Sequence, residues 1–259
     1  PLCLMSREGN VIKCKENMIK KMFPGFMTNI KLHIGIPALV LAAAGFAYFL
    51  LSAALIIFGG FRFLPRVMAW NLFLAMLPLI FAILVRLLVG RRRTAFAVPA
   101  GVLWLLFFPN APYMITDLIH LHLFEYYGSG MFLQDFPAWA WLFYMITGIM
   151  LGLITGMMSL EVIQEEVFRR RGRRAACLMV IAVSLISGYA VYIGRFLRLN
   201  SWDIIRPWSL VQRLILDFEG FAAAFSCMAA VCILLIYGLF HLIYAARRQE
   251  CYDPIQEKG

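Results

Sequence analysis

Two short stretches of this chain hold the side chains that could do chemistry. The first, 108-FPNAPYMITDLIHLHLFEYY-127, carries two prolines, Asn110, Asp117, His120 and His122, and no Lys or Arg. The second, 192-YIGRFLRLNSWDIIRPWSLVQRLILDFEG-220, carries Arg195, Arg198, Asn200 and Asp203. If the first is helical, Asp117 and His120 stand three apart on one face, while His122 points elsewhere. A carboxylate beside an imidazole fixes its orientation and raises its basicity, so His120 with Asp117 is a candidate catalytic base and its orienting group. Arg195 and Arg198, also three apart, are planar forks suited to phosphate or carboxylate. Asn200 or Ser201 can cap a further helical turn, with Asp203 near the third position. Asn110, Arg195, Arg198, Asn200 and Asp203 are therefore candidate substrate contacts.

Each feature has a plainer alternative. Arg195 could pair with Asp117 as a structural ion pair, and cations at a helix carboxyl end favour the helix dipole. The His-rich turn could lie at headgroup level with Leu118, Leu121 and Phe124 in lipid and Tyr126 and Tyr127 in an aromatic belt. The histidine spacing lacks a second metal-ligand pair, so no metal is expected; the residues leave the question of a cofactor open.

The elements that carry these residues can be read from composition. Of 259 residues 63% are hydrophobic and 15% charged, far from the balance of a soluble domain. Six apolar runs reach the length of a membrane span, at 34–58, 67–89, 95–115, 137–158, 175–197 and 221–245. The fold expected is an all-α, six-helix transmembrane domain over residues 34–245, between a basic amino tail (1–33) and a short carboxyl tail (246–259). The first 17 residues carry no structural weight in this reading, and Met18 and Met22 are candidate starts.

The net charge of +10 lies in blocks beside the spans and forms no coherent basic face, which argues against nucleic-acid binding. The amino tail, Arg91–Arg93, the 168-FRRRGRR-174 loop and the carboxyl tail hold most of the 24 basic residues. With six spans all four fall on one side, which the positive-inside rule makes cytoplasmic. Both termini are then cytoplasmic and the two chemistry-bearing stretches face outward. None of the six cysteines falls in an outer loop, so no disulfide framework is implied.

The third span has only 15 residues before Pro109, about 22 Å of helix against a hydrocarbon core of about 30 Å. The break at Pro109 should therefore sit within the outer leaflet, lining a polar cavity or buried in protein, with Asn110 capping a restarted helix. Arg86 should snorkel to the headgroups from the end of the second span. Residues 159–172 should extend the fourth helix into the cytosol, with Glu161, Glu165 and Arg169 on a solvated face. The small-residue stretches 42-AAAGFAY-48 and 148-GIMLGLITG-156 allow close helix packing.

The stretches FPNAPYMITDLIHL and GRFLRLNSWD resemble the characteristic segments of a bacterial family of multi-pass membrane proteins, domain of unknown function family 1361. The resemblance runs over roughly residues 64–245. It implies a protein of the bacterial cytoplasmic membrane and brings no activity and no assigned residues. Three functions remain open on the residues themselves. One is an intramembrane enzyme or binder acting on an anionic lipid or lipid-linked envelope precursor. The second is a small transporter, and the third a non-catalytic assembly subunit whose polar cluster locks helices together. The lipid bilayer is the partner common to all three. Oligomeric state is not readable from the sequence.

Overall fold

A computed structural model describes residues 24–60, 62–197 and 220–250 of the chain. Helix α1 spans Pro24–Phe58, α2 Phe63–Gly90, α3 Thr94–Phe107 and the four-residue α4 Asn110–Tyr113. A 3-10 helix covers Met114–Leu123, and a small hairpin pairs β1 (Tyr127–Gly128) with β2 (Met131–Phe132). Then come α5 (Phe136–Tyr192), a π-helical turn (Ile193–Leu197) and α6 (Gly220–Glu250). Contacts divide the chain into a unit ending at Ala47 and a second beginning at Tyr48. The helix core and the two clefts described below belong to the second.

Five stretches are long and apolar enough to cross a membrane: Gly35–Phe58, Phe63–Gly90, Thr94–Leu123, Phe136–Leu197 and Gly220–Tyr244. Large apolar side chains project outward along them, among them Phe96, Val98 and Val102 on α3, Leu178, Ile181 and Leu185 on α5, and Leu235 and Leu239 on α6. Apolar surface on this scale is untenable in water and natural in lipid, where helices also satisfy every backbone polar group internally.

The 62-residue stretch Phe136–Leu197 is not one straight rod. Gly172 has φ 83° and ψ 178°, a backbone region open essentially to glycine alone. Contacts on either side require the chain to fold back there. Gly152 packs on Met114, and Arg195 grips Asp117, three residues after Met114. In an unbroken helix Gly152 and Arg195 would stand about 65 Å apart at 1.5 Å per residue. The fourth stretch is thus two antiparallel arms, 136–171 and 173–192; the first holds the apolar run at 137–158, and the second, with the π-helical turn after it, holds 175–197.

The first arm is the centre of the packing. Tyr144, Met145, Ile149 and Leu153 meet Leu64, Met68, Leu72 and Ala75 of α2, Ala111 and Met114, and Tyr48. Glycines make the approach possible: a Cβ at Gly152 would collide with Met114 Sδ, and one at Gly156 with the Ala111 methyl. The small residues of 148-GIMLGLITG-156 therefore serve packing within the molecule.

Two expectations are corrected by the packing. Residues 159–163 are buried rather than solvated. The Tyr237 hydroxyl donates to Glu161 Oε2 at 2.7 Å, and His241 Nδ1 lies 2.7 Å from the same oxygen. The exposed part of this arm begins only at Phe168. Arg86 does not reach for headgroups either. Its Nη1 donates to Glu165 Oε2 at 3.0 Å, and both side chains are largely covered. A carboxylate one helix away is a better partner for a cation at that depth than a stretched path to the surface.

Candidate functional site

The site is built where the third apolar run loses its α-helical form. Pro109 brings no N–H to the helix, and α3 ends at Phe107. Asn110 begins α4, but its side chain makes no forward cap. Its Nδ2 donates back to the Phe107 carbonyl at 2.8 Å, closing an acceptor that the proline break leaves open. Pro112 lies within α4, as expected of a helix start.

The 3-10 helix beyond α4 has three residues per turn, so residues three apart eclipse one another. That stacks Met114, Asp117 and His120 on one edge, the first two fully buried. Three side chains return to the carbonyl three residues before them: Thr116 Oγ1 donates to Tyr113 O (2.6 Å), while His120 Nδ1 pairs with Asp117 O (2.9 Å) and His122 Nδ1 with Ile119 O (2.6 Å). A carbonyl only accepts, so Nδ1 of each histidine carries a proton. For His120 this leaves Nε2 as the atom that can take or present a further proton. His122 is exposed and apart from Asp117. Leu121 and Phe124, expected in lipid, pack on the core, Phe124 against the Trp141 ring; Leu118 is exposed.

Asp117 is 1% exposed and has both oxygens engaged. Asn71 Nδ2 of α2 donates to Oδ2 at 2.7 Å, and Arg195 Nη2 donates to Oδ1 at 2.7 Å. Arg195 Nε also donates to Thr116 Oγ1 at 2.9 Å, its Nη2 reaches the same oxygen, and its guanidinium carbon lies 4.5 Å over the Tyr113 ring. Arg195 sits in the π-helical turn, a local widening that often marks functional positions in helices. His120 Nδ1 stands 4.0 Å from Asp117 Oδ1. Asp117, His120 and Arg195 thus converge, and Asn110 stays with its own break. Arg198, Asn200 and Asp203 lie outside the described residues.

These groups border an open cleft of about 430 Å³. Arg66, Val67, Trp70 and Asn71 of α2 line one side, with Tyr113, Asp117, His120 and Arg195 opposite. Arg66 is exposed and has no acidic partner among the described residues. With two guanidiniums and one covered carboxylate the cleft carries a net positive charge, which favours an anion. Among the described residues no Ser or Cys lines it, and Thr116 Oγ1 is saturated by Arg195 and the Tyr113 carbonyl. No three His, Cys, Asp or Glu come together as a metal set among the described residues. Sequence reasoning missed Asn71, Arg66 and Tyr113. Asn71 did leave a signal, as the one amide inside the apolar run at 67–89; Arg66 and Tyr113 left none.

Helices with lipid-facing apolar sides around a polar cleft define a multi-pass membrane protein. Residues 70–236 match the family described as Protein of unknown function (DUF1361), and the chain belongs to that family. No curated protein and no solved structure matches it. The stretches FPNAPYMITDLIHL and GRFLRLNSWD both lie within the matched range.

Proposed function

We propose that this protein binds an anionic headgroup or lipid-linked phosphate in the cleft between α2 and the 3-10 helix. In this reading the cleft opens on the outer side of the bacterial cytoplasmic membrane and both termini are cytoplasmic. The observation that carries it is the division of labour around Asp117. The carboxylate is buried and holds Arg195 from beneath, while Arg66, Arg195 and His120 border open space above it. An anion entering there meets Arg66 and the rest of the Arg195 guanidinium. His120 Nε2 stands ready to accept a proton from a nucleophile or to donate one to a leaving oxygen. Asp117, fully occupied, is then a positioning group, and the catalytic assignment narrows to His120.

The test is native mass spectrometry of the detergent-purified protein with short-chain phosphatidic acid and the matching phosphatidylcholine. Preferential retention of phosphatidic acid, with one bound equivalent fewer in Arg66→Gln and no change in melting temperature, supports the reading. Equal retention of both lipids, or an Arg66→Gln variant that binds like the parent, overturns it. A second reading, a purely structural latch, is favoured by the complete pairing of Asp117; it expects folding defects and no ligand.

A further inference from the structure

The opposite end of α2 carries a second cleft, of about 280 Å³, between the α2–α3 corner and the first arm of α5. Its residues divide by chemistry. Val89 and Val98 on one wall and Val167 on the other are apolar, while Thr94, Arg170 and Arg171 are polar or cationic. The surrounding charge is one-sided. Arg91, Arg92 and Arg93 form the α2–α3 corner, and the 168-FRRRGRR-174 segment passes beside it. The local acids are engaged: Glu166 accepts from Arg170 Nε at 2.7 Å, and Glu165 is shared by Arg86 and Arg169. Arg91, Arg92, Arg93 and Arg171 have no acidic partner among the described residues.

An apolar groove that opens into unpaired guanidiniums matches one kind of molecule, an acyl chain joined to a phosphate. Placement agrees. Val98 is exposed on the apolar outer face of α3, Arg91–Arg93 lie between two candidate spans, and Arg171 adjoins the fold-back at Gly172. Clusters of Lys and Arg at span ends attract anionic lipid. We infer that this cleft is a docking site for an anionic phospholipid, its phosphate held by Arg171 and the Arg91–Arg93 corner and an acyl chain lying against Val98 and Val167. The site is separate from the Asp117 cleft. Arg66 and Val89 stand 23 positions apart on α2, about 35 Å of helix, so either site can fail without the other.

The experiment reconstitutes the full chain in nanodiscs containing phosphatidylcholine with a minor fraction of phosphatidylglycerol carrying a photoreactive headgroup. After illumination the labelled peptides are mapped. Labelling of residues 89–98 and 166–174, reduced roughly thirty-fold in R92Q/R171Q and unchanged in Arg66→Gln, is the expected result. Melting temperature checks folding, and Arg171→Glu alone serves as a second variant if the double one is poorly folded. Labelling no stronger than with a photoreactive phosphatidylcholine, or unaffected by either Arg variant, overturns the inference. Displacement of the label by millimolar inorganic phosphate also overturns it, because the cleft would then take a soluble anion.

Discussion

Asp117 Oδ1 and Arg195 Nη2 lie 2.7 Å apart although 78 residues separate them in the chain. The pair ties the 3-10 helix to the end of the second α5 arm, and Asn71 extends the tie to α2. Three segments are held through one carboxylate that is 1% exposed. Removing one member of a buried pair leaves the other charge uncompensated, which costs about 3–5 kcal/mol. Asp117→Ala should therefore lower the melting temperature and the folded yield sharply. Asp117→Asn with Arg195→Gln should recover part of the loss, because both charges leave together. The check is a double-mutant cycle on detergent-solubilised protein. Additive losses from the two sites would mean that the pair is not a coupled latch.

The turn at Gly172 should be intolerant of any side chain. A Cβ there would meet nothing within 4 Å, so crowding is not the reason. The cost comes from the backbone, since φ 83° with ψ 178° is strained for an L-residue by about 1–3 kcal/mol. Gly172→Ala should lower thermal stability by that amount, and Gly172→Asn should do little better, because Asn tolerates the left-handed helical region rather than this extended one. Gly156→Ala should also destabilise, but through collision with Ala111. Ala111→Gly in the same chain should relieve that defect and leave the Gly172 defect untouched. Relief of the Gly172→Ala defect by Ala111→Gly would contradict this account.

The apolar runs were readable because lipid imposes one requirement on every span: a long stretch without charge. Four of the six lie within one described helix each, while 95–115 crosses the break at Phe108–Pro109 and 175–197 ends in the π-helical turn. The fold-back was foreshadowed by the basic loop around Gly172. Apart from the Arg195–Asp117 ion pair, which the sequence offered as an alternative, pairings between helices were not readable, since they depend on how each helix is rotated about its axis. Glu161 has the same i,i+4 spacing as a surface helix, yet it faces Tyr237 and His241. Arg86 reads as a snorkelling cation until Glu165 is seen beside it. Asp117 and His120 were paired by spacing alone, and the 3-10 geometry makes that alignment closer than an α-helix would. The hairpin had a local signal that went unused: Ser129-Gly130, both at positive φ, forms the two-residue turn between Gly128 and Met131.

The buried carboxylate of Glu161 should depend on its two donors. Hydrogen bonds to charged groups contribute about 1.5–3 kcal/mol each. Tyr237→Phe removes one donor at almost unchanged volume, so it should destabilise by about that amount. Glu161→Gln together with Tyr237→Phe should be less harmful than the sum of the two, because the neutral amide needs less solvation than a carboxylate. Thermal unfolding of the three variants in one detergent measures this. A Tyr237→Phe variant as stable as the parent would show that His241 alone suffices.

Orientation can be tested at the two ends of α2 and its neighbours. Ser129 lies in the hairpin turn beside the Asp117 segment and Arg92 in the opposite corner, and both are exposed. In a cysteine-free background, Ser129→Cys should react with a membrane-impermeant maleimide in intact cells. Arg92→Cys should react only after the membrane is opened. In the proposed orientation the cause is the charge asymmetry: Arg91–Arg93 and the 168-FRRRGRR-174 loop would keep their end in the cytoplasm, with the Asp117 cleft on the other side. Adding Lys residues to the hairpin turn should weaken the preference and yield a mixed labelling pattern. Labelling of Arg92→Cys but not Ser129→Cys in intact cells would invert the topology and move the anion-binding cleft to the cytoplasmic side. It would then face soluble metabolites instead of the outer leaflet.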